Sequence, residues 1–218
     1  MDEKTLIAKR VALELRAGNL VNLGIGLPTM VAAHLPAGVN VFFQSENGIV
    51  GMAPVPEAGA ENWDLSDAGG SPIGAVPGAA AFDSAMSFGL IRGGHLDVTV
   101  LGGLQVDEEG RLANWMVPGR MVPGMGGAMD LVSGAKRVIV AMQHSAKGEP
   151  KIVKRCALPL TSVRRVDLIV TDLAVIEPTE AGLVLKETAP GVSVADVLAV
   201  TGAELIVPDS VPEMPIGA

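Results

Sequence analysis

Tyrosine is absent from these 218 residues, and the two Trp and four Phe make up only 3% of them. Six aromatics are too few to stack a run of bases, and a net charge of −8 repels phosphate backbones, so no nucleic-acid partner is expected. Cys156 is the single cysteine. No disulfide can therefore staple the chain to itself, and no zinc-finger spacing exists. Charged residues reach only 18% while apolar ones reach 49%, which excludes disorder. Charge is missing altogether from Ala17 to Ser45. That run is no membrane span, because Asn19, Asn22, Pro28, His34, Pro36 and Asn40 interrupt it and its periodicity changes partway. The start, MDEKTLIAKR, is charged and amphipathic, unlike a secretory signal. A soluble, cytoplasmic protein with a reduced Cys156 is expected. Also missing are a P-loop, a G-x-S-x-G elbow and an H-E-x-x-H pair. His34, His95 and His144 lie far apart in sequence and read as structural residues, so no metal site is expected.

What is present is a chain of short apolar segments punctuated by 27 Gly and 15 Pro. Leu6, Ile7, Val11 and Leu15 share one face at helical spacing, which predicts a helix over 3–17. Apolar or β-branched runs predict strands at 20–25, 39–44, 97–101, 137–142, 166–170 and 183–185. Helices are predicted over 28–35, 82–90 and 194–200, the first opened by Pro28. Strands that are nearly continuous apolar runs, alternating with helices, argue for an α/β sheet covered on both faces. The absence of a linker or repeat argues for one domain over 1–206, followed by a loosely ordered tail, 207–218. Two long Gly-rich stretches, 51–80 and 114–130, read as loops. Long loops in a compact domain are uncommon unless they have a function.

Residues 131–165 hold eight basic groups against Glu149 alone, a net of +7, whereas 46–130 and 166–218 each sum to −8. A solvated face or subunit contact explains the basic block more simply than attraction for a polyanionic ligand. Gly24-x-Gly26 between a predicted strand and helix resembles a dinucleotide fingerprint, with Glu46 about 20 residues on. However, Thr29 stands at the third glycine position and Pro28 lacks the N–H that would face a phosphate. A tight turn, or a close approach to the backbone by another molecule, fits equally well.

Glu46 is the most informative residue. It ends the charge-free run, follows a predicted buried strand, and sits in the turn Ser45-Glu46-Asn47-Gly48. No Lys or Arg lies within 25 positions on either side, so a local ion pair is excluded. A carboxylate in such a place can serve as general base or as covalent nucleophile. Attack on a thioester needs no serine-histidine machinery, because a thiolate leaves readily. It needs an oxyanion hole and exclusion of water. The stretch Gly124-Met125-Gly126-Gly127-Ala128-Met129 offers backbone N–H groups for that purpose.

These motifs, Asn22-Leu-Gly-Ile-Gly-Leu-Pro28, Gln44-Ser-Glu-Asn-Gly48, Ile91-Arg-Gly-Gly-His95 and the long run from Leu112 through Asn114-Trp115 to Gly126-Gly-Ala-Met-Asp-Leu131, resemble the family I CoA-transferases. The similarity runs from Leu6 to about Ala203 and is to the B (beta) half of the 3-oxoacid branch. The resemblance implies a three-layer α/β/α sandwich shared with certain sugar-phosphate isomerases. It implies ping-pong transfer through a glutamyl-CoA thioester on Glu46, and an oxyanion and thioester contact at Gly127 with Ala128. It also implies approach of CoA near Asn22, Gly24, Gly26 and Gly126. Coenzyme A is then a substrate, alongside acyl-CoA and a carboxylic acid, and no cofactor or metal is implied. The implied partner is an A (alpha) subunit in a heterotetramer, without which the chain is inactive. One departure is Asp67-Ala68-Gly69-Gly70, where family members often carry a longer polar residue at the position of Gly70. Acetoacetate paired with acetate or succinate is the first reading, and 3-oxoadipate with succinate the second. Two other classes remain open: a non-catalytic CoA- or nucleotide-binding module built on Gly24 and Gly26, and an isomerase using Glu46 as base.

Overall fold

The computed structural model describes residues 1–119 and 125–216. Gly124, the first residue of the proposed oxyanion stretch, and the last two tail residues lie outside this range. Helix α1 (Glu3–Ala12) leads into β1 (Leu20–Leu23), a 3-10 helix (Leu27–His34), β2 (Phe42–Ser45), β3 (Ile49–Ala53) and β4 (Gly74–Ala81). Then come α2 (Ser84–Arg92), β5 (Val98–Leu101), β6 (Gln105–Asp107), β7 (Leu112–Ala113), α3 (Ala128–Gly134) and β8 (Arg137–Ala141). The short strands β9 (Ser145–Ala146), β10 (Glu149–Pro150) and β11 (Ile152–Val153) follow. The chain closes with β12 (Leu168–Val170), β13 (Ala174–Thr179), β14 (Gly182–Thr188), α4 (Val194–Ala199) and β15 (Leu205–Ile206).

One ten-stranded sheet runs in the order β15-β14-β13-β12-β8-β5-β1-β2-β3-β4. Its centre, β12 through β2, is parallel, and both flanks turn antiparallel at hairpins. Alternation along β8 shows how two cores form. Ile139 and Ala141 pack with Ile7, Val11 and Val31 from α1 and the 3-10 helix, while Val138 and Val140 pack with Ile91, Leu131 and Val197 from α2, α3 and α4. Helices therefore cover both faces, as the apolar runs predicted, giving the three-layer α/β/α sandwich that the family resemblance implied.

The predicted helix 3–17 stops at Ala12. Its last bonds tighten to i→i+3 at Leu13, Glu14 and Leu15, so Leu15 stays buried although the α-helix has ended. The stretch 51–80 is not loop throughout: Gly74–Ala81 forms β4 against β3. The 207–218 tail, expected to be loose, is docked over 211–216. The Thr188 N–H donates to Pro212 O at 3.0 Å, the Met214 N–H donates to Thr188 O at 2.8 Å, and Met214 is buried. The basic block is partly absorbed into the fold. Lys136 pairs with Asp97, Arg137 with Glu14, and Arg164 donates to Val132 O and Lys136 O at the end of α3. No helix among the described residues is long and apolar enough to cross a membrane.

Candidate active site

The Glu46 turn is held by segments distant in sequence. The Gly48 N–H closes it on Ser45 O at 3.0 Å, and the Phe82 N–H donates to Gly48 O at 2.9 Å. Gly48 is obligatory here: its φ is +130°, and an added Cβ would lie 2.0 Å from Phe82 O. Asn47 donates to Ser66 O at 2.7 Å, and Ser45 Oγ accepts from the Ala68 N–H at 2.9 Å. The two polar residues flanking Glu46 thus fasten the 64–72 segment beside it.

The Glu46 carboxylate is half-buried, and its Oε1 accepts from the Gly127 N–H at 3.0 Å. None of the ion pairs among the described residues includes it. Burial pushes its pKa above the ordinary value, the Gly127 N–H draws it back, and the charge of Asp130 adds to the rise. A Cβ at Gly127 would fall within 2.6–2.9 Å of the three terminal carboxyl atoms, so only glycine lets the carboxylate reach this N–H. Gly126, at φ +56°, has the carboxylate 3.6 Å from where its Cβ would be. Ala128 begins α3 immediately after Gly127. The structure therefore brings Gly126 and Gly127 to Glu46 across about 80 residues of chain, whereas the Ala128 N–H, also expected at the carboxylate, donates to Met125 O.

The CoA-approach residues are placed differently. Gly24 is explained by packing, since a Cβ would sit 3.2 Å from Val100 O of β5. Gly26 has φ +90° and open space around it, beside the exposed Ile25. A Cβ at Gly69 would lie 3.4 Å from Ile25 Cγ1, so the 67–71 turn abuts the Gly24–Gly26 turn. Asn22 lies within the sheet, 3% exposed, and donates to Gln44 Oε1 at 2.9 Å. Gln44 in turn donates to Ser87 Oγ of α2 at 2.8 Å. Asn22 Oδ1 and its register neighbour Thr99 Oγ1 are buried without partners. The sequence reading missed Gln44 and Ser87. The signal available was the place of Gln44 two residues before Glu46, within a predicted buried strand.

Among the described residues, no group of three or more His, Cys, Asp or Glu gathers as a metal site would require. Asp97 does not serve His95; it accepts from Lys136 Nζ at 2.7 Å and from the Leu20 N–H at 2.9 Å. His144 is fully buried between Thr171 Oγ1 and Thr201 Oγ1, each 2.9 Å from a ring nitrogen.

Comparison with known proteins places this geometry. The family model described as "Coenzyme A transferase" matches residues 4–199. The chain is 59% identical to the beta subunit of the acetate CoA-transferase of Escherichia coli K12, over 93% of each chain. It is 51% identical to the B half of a probable succinyl-CoA:3-ketoacid coenzyme A transferase of Bacillus subtilis, over 94% of this chain and 95% of that one. In fold it is similar to an acyl-CoA transferase apoenzyme of Escherichia coli O157:H7. The TM-score is 0.79 at 23% identity, covering 98% of this chain and 43% of that one. A half-buried carboxylate met by a backbone N–H, on this fold and at this level of identity, leads to one assignment: the chain belongs to the family I coenzyme A transferases, as their B (beta) half.

Proposed function

We propose that this chain is the catalytic beta half of a 3-oxoacid CoA-transferase. It moves CoA between acetyl-CoA or succinyl-CoA and a 3-oxoacid such as acetoacetate. The observation that carries the reading is the Glu46 carboxylate held by the Gly127 N–H, half out of water and raised in basicity. The curated relatives bear acetate and succinyl-CoA:3-ketoacid names, which supports that substrate range.

The carboxylate oxygen of Glu46 attacks the acyl-CoA carbonyl, and the C–S bond breaks to release CoA thiolate. This leaves a mixed anhydride. The thiolate then attacks the glutamyl carbonyl, the acyl carboxylate leaves, and Glu46 becomes a glutamyl-CoA thioester. A second carboxylate reverses both steps. Negative charge develops on a glutamyl oxygen at each attack on that carbonyl, and the Gly127 N–H lies where that oxygen sits. The open turn at Gly26 admits the pantetheine arm, and CoA enters as substrate with no further cofactor. An alpha subunit completes the site in a heterotetramer.

The test is to add acyl-CoA to the alpha–beta complex and measure intact mass. A borohydride-sensitive adduct of CoA mass on Glu46, lost in Glu46→Gln, is expected. Full turnover by Glu46→Ala would exclude the mechanism. A panel of acetate, succinate, acetoacetate and 3-oxoadipate then assigns the acid pair.

A further inference from the structure

Helix α2 and the residues leading into it link the Glu46 turn, strand β2 and helix α3. Its entry at Phe82 closes the Glu46 turn, Ser87 accepts from Gln44 of β2, and its last residue, Arg92, reaches α3. There Arg92 Nε donates to Asp130 Oδ1 at 2.7 Å. Asp130 stands in the first turn of α3, three residues after Gly127. The guanidinium lies 5.4 Å from the centre of the Phe88 ring, one turn back on α2, which limits where it can go. Close packing fixes the far end of α3 against the same turn of α2. A Cβ at Gly134 would lie 2.2 Å from Ile91 O, so α3 rests directly on the last turn of α2.

We propose that Arg92 is a positioning residue for CoA transfer: paired with Asp130, it holds the first turn of α3, and with it the Gly127 N–H, against Glu46, and it keeps the Asp130 carboxylate from standing unpaired three residues beyond that N–H. The inference rests on the reading of Glu46 as nucleophile. Burial already disfavours the ionised form of Glu46, and Asp130 disfavours it further. An unpaired Asp130 would leave more of Glu46 protonated and unreactive. Of the other acids on the surrounding segments, Asp64 lines a cavity with Asn47 and Gly48, while Asp67 and Asp83 are engaged in their own turns. Asp67 Oδ1 accepts from the Gly69 and Ser71 N–H groups, and Asp83 Oδ1 accepts from the Met86 N–H. Arg92 is thus the cation that pairs with Asp130 at this corner of the molecule.

The experiment is a charge cycle of wild type, Arg92→Gln, Asp130→Asn and the double variant. Each is prepared as full chain in the alpha–beta complex with glutamate carboxyls labelled with 13C in this chain, and Glu46 is assigned by loss of its signal in Glu46→Gln. Two quantities are read: the titration of the Glu46 carboxyl by NMR, and the pH profile of kcat/KM. Arg92→Gln should move both the titration and the acid limb to higher pH, with a several-fold loss of kcat/KM on that limb. Asp130→Asn should move them lower, and the double variant should follow Asp130→Asn. A purely structural Arg92 would give the same change whether or not Asp130 is charged, or no shift at all, and either result overturns the proposal. The titration reads the hold of Arg92 on Glu46 regardless of chemistry, so an unmoved Glu46 defeats this inference while leaving the nucleophile standing. Turnover surviving Glu46→Ala defeats the nucleophile reading and this inference with it.

Discussion

Replacing Gly127 by alanine puts one methyl group against the Glu46 carboxylate. The new Cβ would lie 2.6 Å from Oε2, 2.7 Å from Cδ and 2.9 Å from Oε1 of Glu46. Carbon does not tolerate such contacts, so something moves. The atoms that yield are the end of a flexible side chain, whereas the backbone is free of strain, because Gly127 has φ −82° and ψ 2°. The fold should therefore survive with an unchanged unfolding temperature. The carboxyl group swings away, and its 3.0 Å bond to the Gly127 N–H is lost. Losing one preorganised donor of this kind costs roughly 100- to 1,000-fold in turnover, about 3–4 kcal/mol of transition-state stabilisation. The assay compares kcat for CoA transfer in the alpha–beta complex, with thermal unfolding as the control for folding and intact mass for the glutamyl adduct. Wild-type turnover and adduct yield in a well-folded Gly127→Ala would refute the assignment of this N–H to the chemistry.

Three further outcomes are expected. Gly48→Ala meets a backbone carbonyl, not a mobile side chain, and does so at φ +130°, so it should lower stability by about 2 kcal/mol or more, visible as a lower melting temperature. Burial lowers the His144 pKa from 6.5 to about 4. The unfolded chain then binds the extra proton first, so stability falls as pH drops below 6.5 and the loss levels off near 4. This amounts to about 3 kcal/mol, and His144→Gln should remove that slope from urea titrations. The Cys156 thiol is pushed up to about 12, chiefly by burial, so a disulfide reagent at pH 8 should label it slowly in the folded chain and rapidly in urea.

The layers were legible in the sequence because burial leaves periodic traces: Ile139 and Ala141 alternate with Val138 and Val140 as the runs suggested. Strand β4 was not legible. Its Gly-Ala-Val-Pro-Gly-Ala-Ala-Ala has little intrinsic preference for extension, and pairing with β3 imposes it. Met214 was hidden for a similar reason, since Val211, Met214 and Ile216 spaced among prolines show no regular period until Thr188 receives the segment. At the site, Glu46 announced itself through the missing charges around it. Gly127 could be placed there only through family resemblance, because no local pattern links residues 81 apart. Asn22, taken as a contact for CoA, turns inward because strand alternation sends Val21 to one core and Asn22 toward Gln44 and Ser87. A sequence shows that two neighbours face opposite ways, without showing which face the ligand uses.

The wide separation between Glu46 and the glycine that receives it also bears on when the protein acquires its reactivity. During synthesis Glu46 emerges well before Gly127, and until α3 forms and settles on α2 it is an ordinary solvated carboxylate. A seven-residue helix has little stability of its own, so that settling depends on the parallel centre of the sheet being in place. In the nascent or partly unfolded chain the Glu46 carboxylate therefore lacks both its burial and its N–H partner, and the surroundings that raise its basicity exist only once the tertiary structure has closed.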